Sequence, residues 1–153
     1  MKCTTEDFMK IAIREARQGM SEGNSPFGAA IVKDGKVVAR AHSTVSSASD
    51  VTAHAELSAI RKFSRRAKTR DMKGYAMYAS GEPCLMCSAA IAWANLSELF
   101  IGASHTDIPA SMSAARKWPG KVTHQEIFRE YGSKIRVKKG VLREEVIKLY
   151  REA

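Results

Sequence analysis

Two short motifs constrain this chain more than anything else in it: His54-Ala55-Glu56 and Pro83-Cys84-Leu85-Met86-Cys87. Each opens a run with helical character. Apolar residues follow His54 at Leu57, Ile60 and Phe63, and the stretch from Leu85 to Trp93 is apolar almost throughout. Cys84 and Cys87 are three apart, so on a helix they share one face. A cysteine at a helix N-terminus feels the positive end of the helix dipole, which favours the thiolate, the form that binds metal. Two helix starts meeting at one edge of a sheet would present an imidazole and two thiolates to a single ion. Three protein ligands leave a tetrahedral zinc with one open position, the arrangement of a catalytic site. Such a zinc lowers the pKa of its water to roughly 7. Glu56, two residues from His54 in the first helical turn, is then a proton carrier beside the metal and not a ligand. The expectation is one zinc per chain on His54, Cys84 and Cys87.

Cys-x-x-Cys also occurs in redox pairs and in halves of structural zinc sites. A structural site needs a fourth protein ligand. Cys3 is the remaining cysteine and lies in a terminus expected to be mobile; the other histidines are His42, His105 and His124.

At 153 residues the chain reads as one domain, 1–153. That length buries a core without disulfides, and three cysteines, two assigned to metal, do not make an oxidised scaffold. There is no apolar leader and no run of about 18 apolar residues, so the expectation is a cytoplasmic protein with no membrane span. The balance of 25 basic and 16 acidic residues gives a net charge of +9. Much of it is clustered. Arg61, Lys62, Arg65, Arg66, Lys68, Arg70 and Lys73 form one group, and Lys134, Arg136, Lys138, Lys139 and Arg143 another. Such patches attract polyanions. The plainer reading is a solvated helix face, and no aromatics interleave with the first cluster to stack on bases.

Helical and extended patterns alternate along the chain. Thr4 or Thr5 caps a first helix with Phe8, Ile11, Ala12 and Ala16 on its apolar face. Strands over 27–33 and 36–41 flank Asp34-Gly35, a hairpin turn signal. A polar, Ser-rich loop over 43–52 leads to the helix at 54–66. A strand at 75–80, the break Gly81-Glu82-Pro83, a helix at 84–94 and a strand at 96–102 follow. Beyond them come a turn at Trp118-Pro119-Gly120, a helix from His124, a strand at 135–138 and a helix at 141–150 with Leu142, Val146 and Leu149 on one face. Alternation of this kind implies an α/β layered domain, and the hairpin makes its sheet mixed.

The pairing of His-x-Glu with Pro-Cys-x-x-Cys is the signature of zinc-dependent base deaminases, and here the chain resembles the cytidine-deaminase-like superfamily. The resemblance covers residues 8–102 well and the last third loosely. The run Ser25-Pro26-Phe27-Gly28-Ala29-Ala30-Ile31-Val32-Lys33-Asp34-Gly35 resembles a strand of bacterial guanine deaminases. Thr52-Ala53-His54-Ala55-Glu56, Ala59-Ile60-Arg61-Lys62, Glu82-Pro83-Cys84-Leu85-Met86-Cys87 and His105-Thr106-Asp107 point the same way, and tRNA adenosine deaminases share much of the pattern. The resemblance implies a three-layer α/β/α sandwich around a mixed five-stranded sheet. It implies zinc on His54, Cys84 and Cys87, and Glu56 as proton shuttle. Phe27 would wall a base pocket, the Ala55 amide would bond a ring carbonyl, Trp93 and His105 would lie near the pocket, and His105 would stack on the ring.

Ser43 stands where this family usually has a substrate-gripping asparagine. Serine is shorter and carries one hydroxyl, and sites built to hydrogen-bond a substrate discriminate strongly when that partner changes. The implied activity is loss of an exocyclic amine as ammonia from a free base or nucleoside, a guanine-like ring first. The alternative is a tRNA adenosine (wobble A-to-I) deaminase. From another class comes a zinc-stabilised nucleic-acid-binding module without catalysis. The family's pockets are usually completed across subunits, which implies a homodimer. The apolar residues Leu85, Met86, Ile91 and Trp93 surround the second helix too broadly for a lone surface helix.

Overall fold

The computed structural model describes residues 2–112 and 122–153. Eleven elements run in the order α1 (Thr5–Ser21), β1 (Gly28–Lys33), β2 (Lys36–His42), α2 (Val45–Ala48), α3 (Ala55–Ala67), β3 (Ala76–Gly81), α4 (Leu85–Trp93), β4 (Glu98–Ala103), α5 (His124–Glu130), β5 (Arg136–Lys138) and α6 (Arg143–Glu152). The turn expected at Trp118-Pro119-Gly120 lies outside the described residues.

One five-stranded sheet, in the order β2-β1-β3-β4-β5, organises them. Asp34 and Gly35 both take positive φ, 49° and 73°, as a tight hairpin turn requires. They pair β1 with β2 antiparallel, from Gly28 opposite His42 to Lys33 opposite Lys36. β1 is also antiparallel to β3, whereas β3, β4 and β5 run parallel. The sheet is therefore mixed.

Side chains alternate across the strands and divide the core in two. Ala29, Ile31, Met77, Ala79, Leu99 and Ile101 pack with Ala59 and Phe63 of α3, Ile91 of α4 and Phe128 of α5. Ala30, Val32 and Tyr78 pack on the other side with Phe8, Met9, Ala12 and Ile13 of α1 and Val146 and Tyr150 of α6. These are the three expected layers. Thr4 caps α1 in a capping box with Asp7. The buried face of α1 differs from the expected one: Met9 and Ile13 are fully or nearly fully buried and Ile11 is only half-buried. Gly28 lets α1 sit directly on β1, since a Cβ there would lie 2.0 Å from the Ala12 carbonyl oxygen.

Residues 43–52 contain a single helical turn, α2, where a plain loop was expected. Asn24 anchors it from the far side of the hairpin, accepting from Ser47 N–H at 2.9 Å and donating to Ser47 Oγ at 3.0 Å. Part of the first basic cluster has a structural task. Lys62 and Arg66 of α3 donate to the carbonyls of Arg40 and Val38 on β2, so they cover an otherwise open sheet edge. No helix among the described residues is long and apolar enough to cross a membrane.

Candidate active site

Both motifs fold as helix starts. His54 is the N-cap of α3 and Cys84 the N-cap of α4, each with extended backbone. Neither side chain caps its own helix, which leaves both free to face the gap between the two N-termini. His54 Nδ1 lies 3.6 Å from Cys84 Sγ. The donor atoms of His54, Cys84 and Cys87 all lie within 4.8 Å of one another. Tetrahedral zinc with ordinary Zn–N and Zn–S bonds holds neighbouring ligand atoms about 3.5–3.8 Å apart, so one imidazole nitrogen and two sulfurs at this spacing fit that ion.

Charge in the cluster is arranged for a cation. The hydrogen bond from Cys87 lowers the Cys84 thiol well below its ordinary value in spite of burial, and His54 adds to the effect. Cys87 is pushed well above its ordinary value as the donor in that bond and by burial. The bond with Cys84 raises the His54 imidazole. A cation at the centre would release the shared thiol proton and favour both sulfurs as thiolates.

Glu56 occupies the first turn of α3 and is buried. Its Oε2 lies 3.6 Å from Cys87 Sγ. Burial, and then the negative charge of Cys84, raise its carboxyl to about 7. A carboxyl in that range both accepts and releases a proton at neutral pH.

A cavity of about 110 Å³ opens on this cluster. A single water needs roughly 10–15 Å³, so the space is large enough for a small ring. His54, Ala55, Glu56 and Cys84 line its reactive end; Phe27 and Ser43 line the hairpin side, and His105, Ile108 and Met112 close the other. Ser43 is held there by its N–H on the Phe27 carbonyl, 3.0 Å. The preceding His42 bridges Glu15 and Glu22 of α1 and its following loop at 3.1 and 2.9 Å. His105 Nδ1 is buried in the wall with no hydrogen-bond partner among the described residues.

Seven of the nine residues singled out in the sequence thus line one cavity, and Cys87 lies buried behind it beside His54 and Cys84. Trp93 lies apart. It is 73% exposed, packs edge-to-face on Tyr131 at 6.1 Å, and lines a separate open groove with Ile60, Lys68 and Arg70. The reason is helical rise: six residues beyond Cys87, Trp93 stands about 9 Å further along α4.

Glu82 was read in the sequence as part of a strand break and of the run that carries the resemblance, with no role assigned to its side chain, yet it lines the cavity and is buried. Burial alone would raise its carboxyl. The neighbouring His124 ring, the His105 N–H and the Lys139 charge outweigh burial and hold it at about 2. The one local signal was a charged residue between the end of a buried strand and a ligand-bearing proline–cysteine pair.

Comparison with known proteins matches residues 2–103 to the family model described as the cytidine and deoxycytidylate deaminase zinc-binding region. A tRNA-specific adenosine deaminase of Aquifex aeolicus is 40% identical over 98 residues, 64% of this chain and 65% of that one. A guanine deaminase of Bacillus subtilis is 43% identical over 103 residues, 67% of this chain and 66% of that one. The matched part thus spans just under two thirds of each relative's length. Among solved structures, one from a study of A-to-I editing by tRNA:A34 deaminases superposes with a TM-score of 0.74 at 32% identity, covering 93% of this chain and 97% of that one.

Proposed function

Because the chain belongs to the cytidine and deoxycytidylate deaminase zinc-binding family, we propose that it hydrolyses an exocyclic amine from an aminated ring, releasing ammonia, with a free guanine-like base or its nucleoside as first substrate. The observation that carries this reading is the placement of Glu56, a buried carboxyl in the cavity wall, 3.6 Å from Cys87 Sγ and itself not needed as a ligand.

Zinc held by His54, Cys84 and Cys87 would supply an acidified water at neutral pH. Glu56 would take a proton from the attacking water at a carboxylate oxygen and pass it to a ring nitrogen as the C–O bond forms, then take the proton of the new hydroxyl and pass it to the amine as the C–N bond breaks. Ring C–NH₂ and water become ring C=O and ammonia. Phe27 and Ile108 hold the ring in place and exclude bulk water. The Ala55 N–H and the Ser43 hydroxyl offer hydrogen bonds to the ring edge, and His105 offers its face or its unpaired Nδ1.

A second reading, deamination of adenosine in tRNA, has specific support in the 40% identical relative and the net charge of +9. Ammonia release from zinc-loaded protein over a panel of purines, pyrimidines, triazines and their nucleosides, with tRNA as a parallel substrate, tests both. Turnover of a free ring supports the first reading. Turnover of tRNA alone, with binding that weakens steeply as salt rises, replaces it with the second. No ammonia from any of these sinks both.

A homodimer belongs to the same proposal. α4 buries Cys87, Ser88 and Ile91 and leaves Leu85, Met86, Ala89 and Ala90 half-covered and Trp93 exposed, an apolar surface a second copy would cover. Light scattering that finds only monomer would remove it.

A further inference from the structure

We infer that Glu82 is the hub through which the C-terminal third holds the substrate wall of the cavity in place, with His124 and Lys139 as positioning residues and the Arg143–Asp107 pair as a second anchor on the same wall. This rests on the cavity being the substrate pocket, as proposed above.

Glu82 sits between β3 and the ligand Cys84, and its two oxygens face different parts of the chain. Oε2 accepts from the His105 N–H at 2.9 Å, tying down the segment that carries His105, Ile108 and Met112. Oε1 accepts from Lys139 Nζ at 3.2 Å. It also lies 2.9 Å from Nδ1 of His124, a fully buried ring that is close but poorly aligned for a hydrogen bond. A carboxylate this buried needs such partners, because an uncompensated charge is strongly disfavoured away from water.

The second anchor is independent. Asp107 accepts from Ser104 N–H and Oγ, both at 3.0 Å, closing the turn that begins the same segment. Arg143 at the start of α6 grips Asp107 with Nε at 3.0 Å and Nη2 at 2.5 Å. Two of the five cations in the second basic cluster therefore point at carboxylates, Glu82 in the cavity wall and Asp107 in the segment that carries His105 and Ile108, and not at solvent alone. A ring bound against this wall depends on where the wall stands, so fixing it is a functional task.

The test uses full-length zinc-loaded protein with Lys139→Met, Lys139→Arg and Arg143→Met. Hydrogen exchange is followed over residues 103–112 and over β3. In Lys139→Met and Arg143→Met, amides of residues 104–107 should exchange about ten-fold faster while β3 is unchanged, because the opening is local. Lys139→Arg should restore protection. Zinc content should equal wild type. With the best ring substrate, KM should rise about five-fold with kcat within about two-fold, the pattern of binding lost equally in ground and transition states. Exchange that quickens equally in β3 and the wall, or unchanged exchange at 104–107, overturns the inference. The exchange readout needs no turnover, so absence of activity on every substrate sinks the proposed function and leaves this inference to be judged on its own.

Discussion

Residues 2–103 and residues 104–153 contribute to the cavity in different ways. The first region brings the three candidate metal ligands and Glu56, and it brings them locally, as N-caps and first-turn residues of α3 and α4. The second brings no ligand among its described residues. It brings His105, Ile108 and Met112 to the wall, and His124, Lys139 and Arg143 to the carboxylates behind it. Local geometry therefore prepares the chemistry, and long-range ion pairs prepare the shape of the space where the ring would sit. The family model ends at residue 103, where the first kind of contribution gives way to the second.

If that division holds, damage to the first region should abolish chemistry and damage to the second should retune it. The largest effect belongs to Cys84→Ala/Cys87→Ala. Two of three ligands are gone, so elemental analysis should find zinc below about a tenth of an equivalent, against one per chain in wild type, and ammonia release should vanish. Full zinc retention would move the metal elsewhere. Glu56→Ala comes next: zinc and fold kept, kcat down by about 10³–10⁴ or more, since general acid–base groups contribute on that order and this one handles several transfers. A variant that keeps more than about a tenth of wild-type kcat would take the proton carrier out of the first region.

The same division explains what the sequence disclosed. The Thr4 cap, the Asp34-Gly35 hairpin and the strands around 29–32 and 76–79 are set by neighbours within a few residues, and they were legible. So was the placing of His54, Glu56, Cys84 and Cys87 at two helix starts, with Cys84 and Cys87 three apart on one face. Glu82 was not, because its meaning comes from His105, His124 and Lys139, which only the fold brings to it. The helical turn at Val45–Ala48 was hidden for the same reason, being fastened by Asn24 across the hairpin. Trp93 misled because sequence proximity to Cys87 on an apolar helix says nothing of distance along its axis.

Ser43 sharpens the contrast from within the first region, as a residue of shape and not of chemistry. Its position in the cavity is fixed by the Phe27 carbonyl and by the His42 bridge to α1. Ser43→Asn adds an amide donor and acceptor to the ring edge. One buried hydrogen bond gained or lost is worth roughly 1–3 kcal/mol, so the preference for guanine over the best wild-type substrate should rise about ten-fold or more. Comparing kcat/KM on both rings reads it out; an unchanged ratio would leave Ser43 as a strand end with no part in recognition.

The smallest effect tests whether the second region is tied together by charge. Hydrogen bonds from Arg143, then from Ser104, hold the Asp107 carboxyl below its ordinary value of 3.8. A carboxylate whose folded pKa is depressed stabilises the fold fully above its unfolded pKa, and that contribution is lost as pH falls through the folded pKa. Arg143→Met removes the largest cause of the depression. Wild type should therefore exceed the variant in Tm by a constant margin above about pH 4, and the margin should shrink below it. Arg143 is half-exposed, so solvent screens the pair and the margin should be a few degrees at most, smaller at high salt. Thermal unfolding followed by circular dichroism from pH 7 to pH 3 measures it. A margin that stays the same across the whole range would mean that Arg143 holds α6 by packing of its stem, and that the second region is fastened at this point by contact and not by charge.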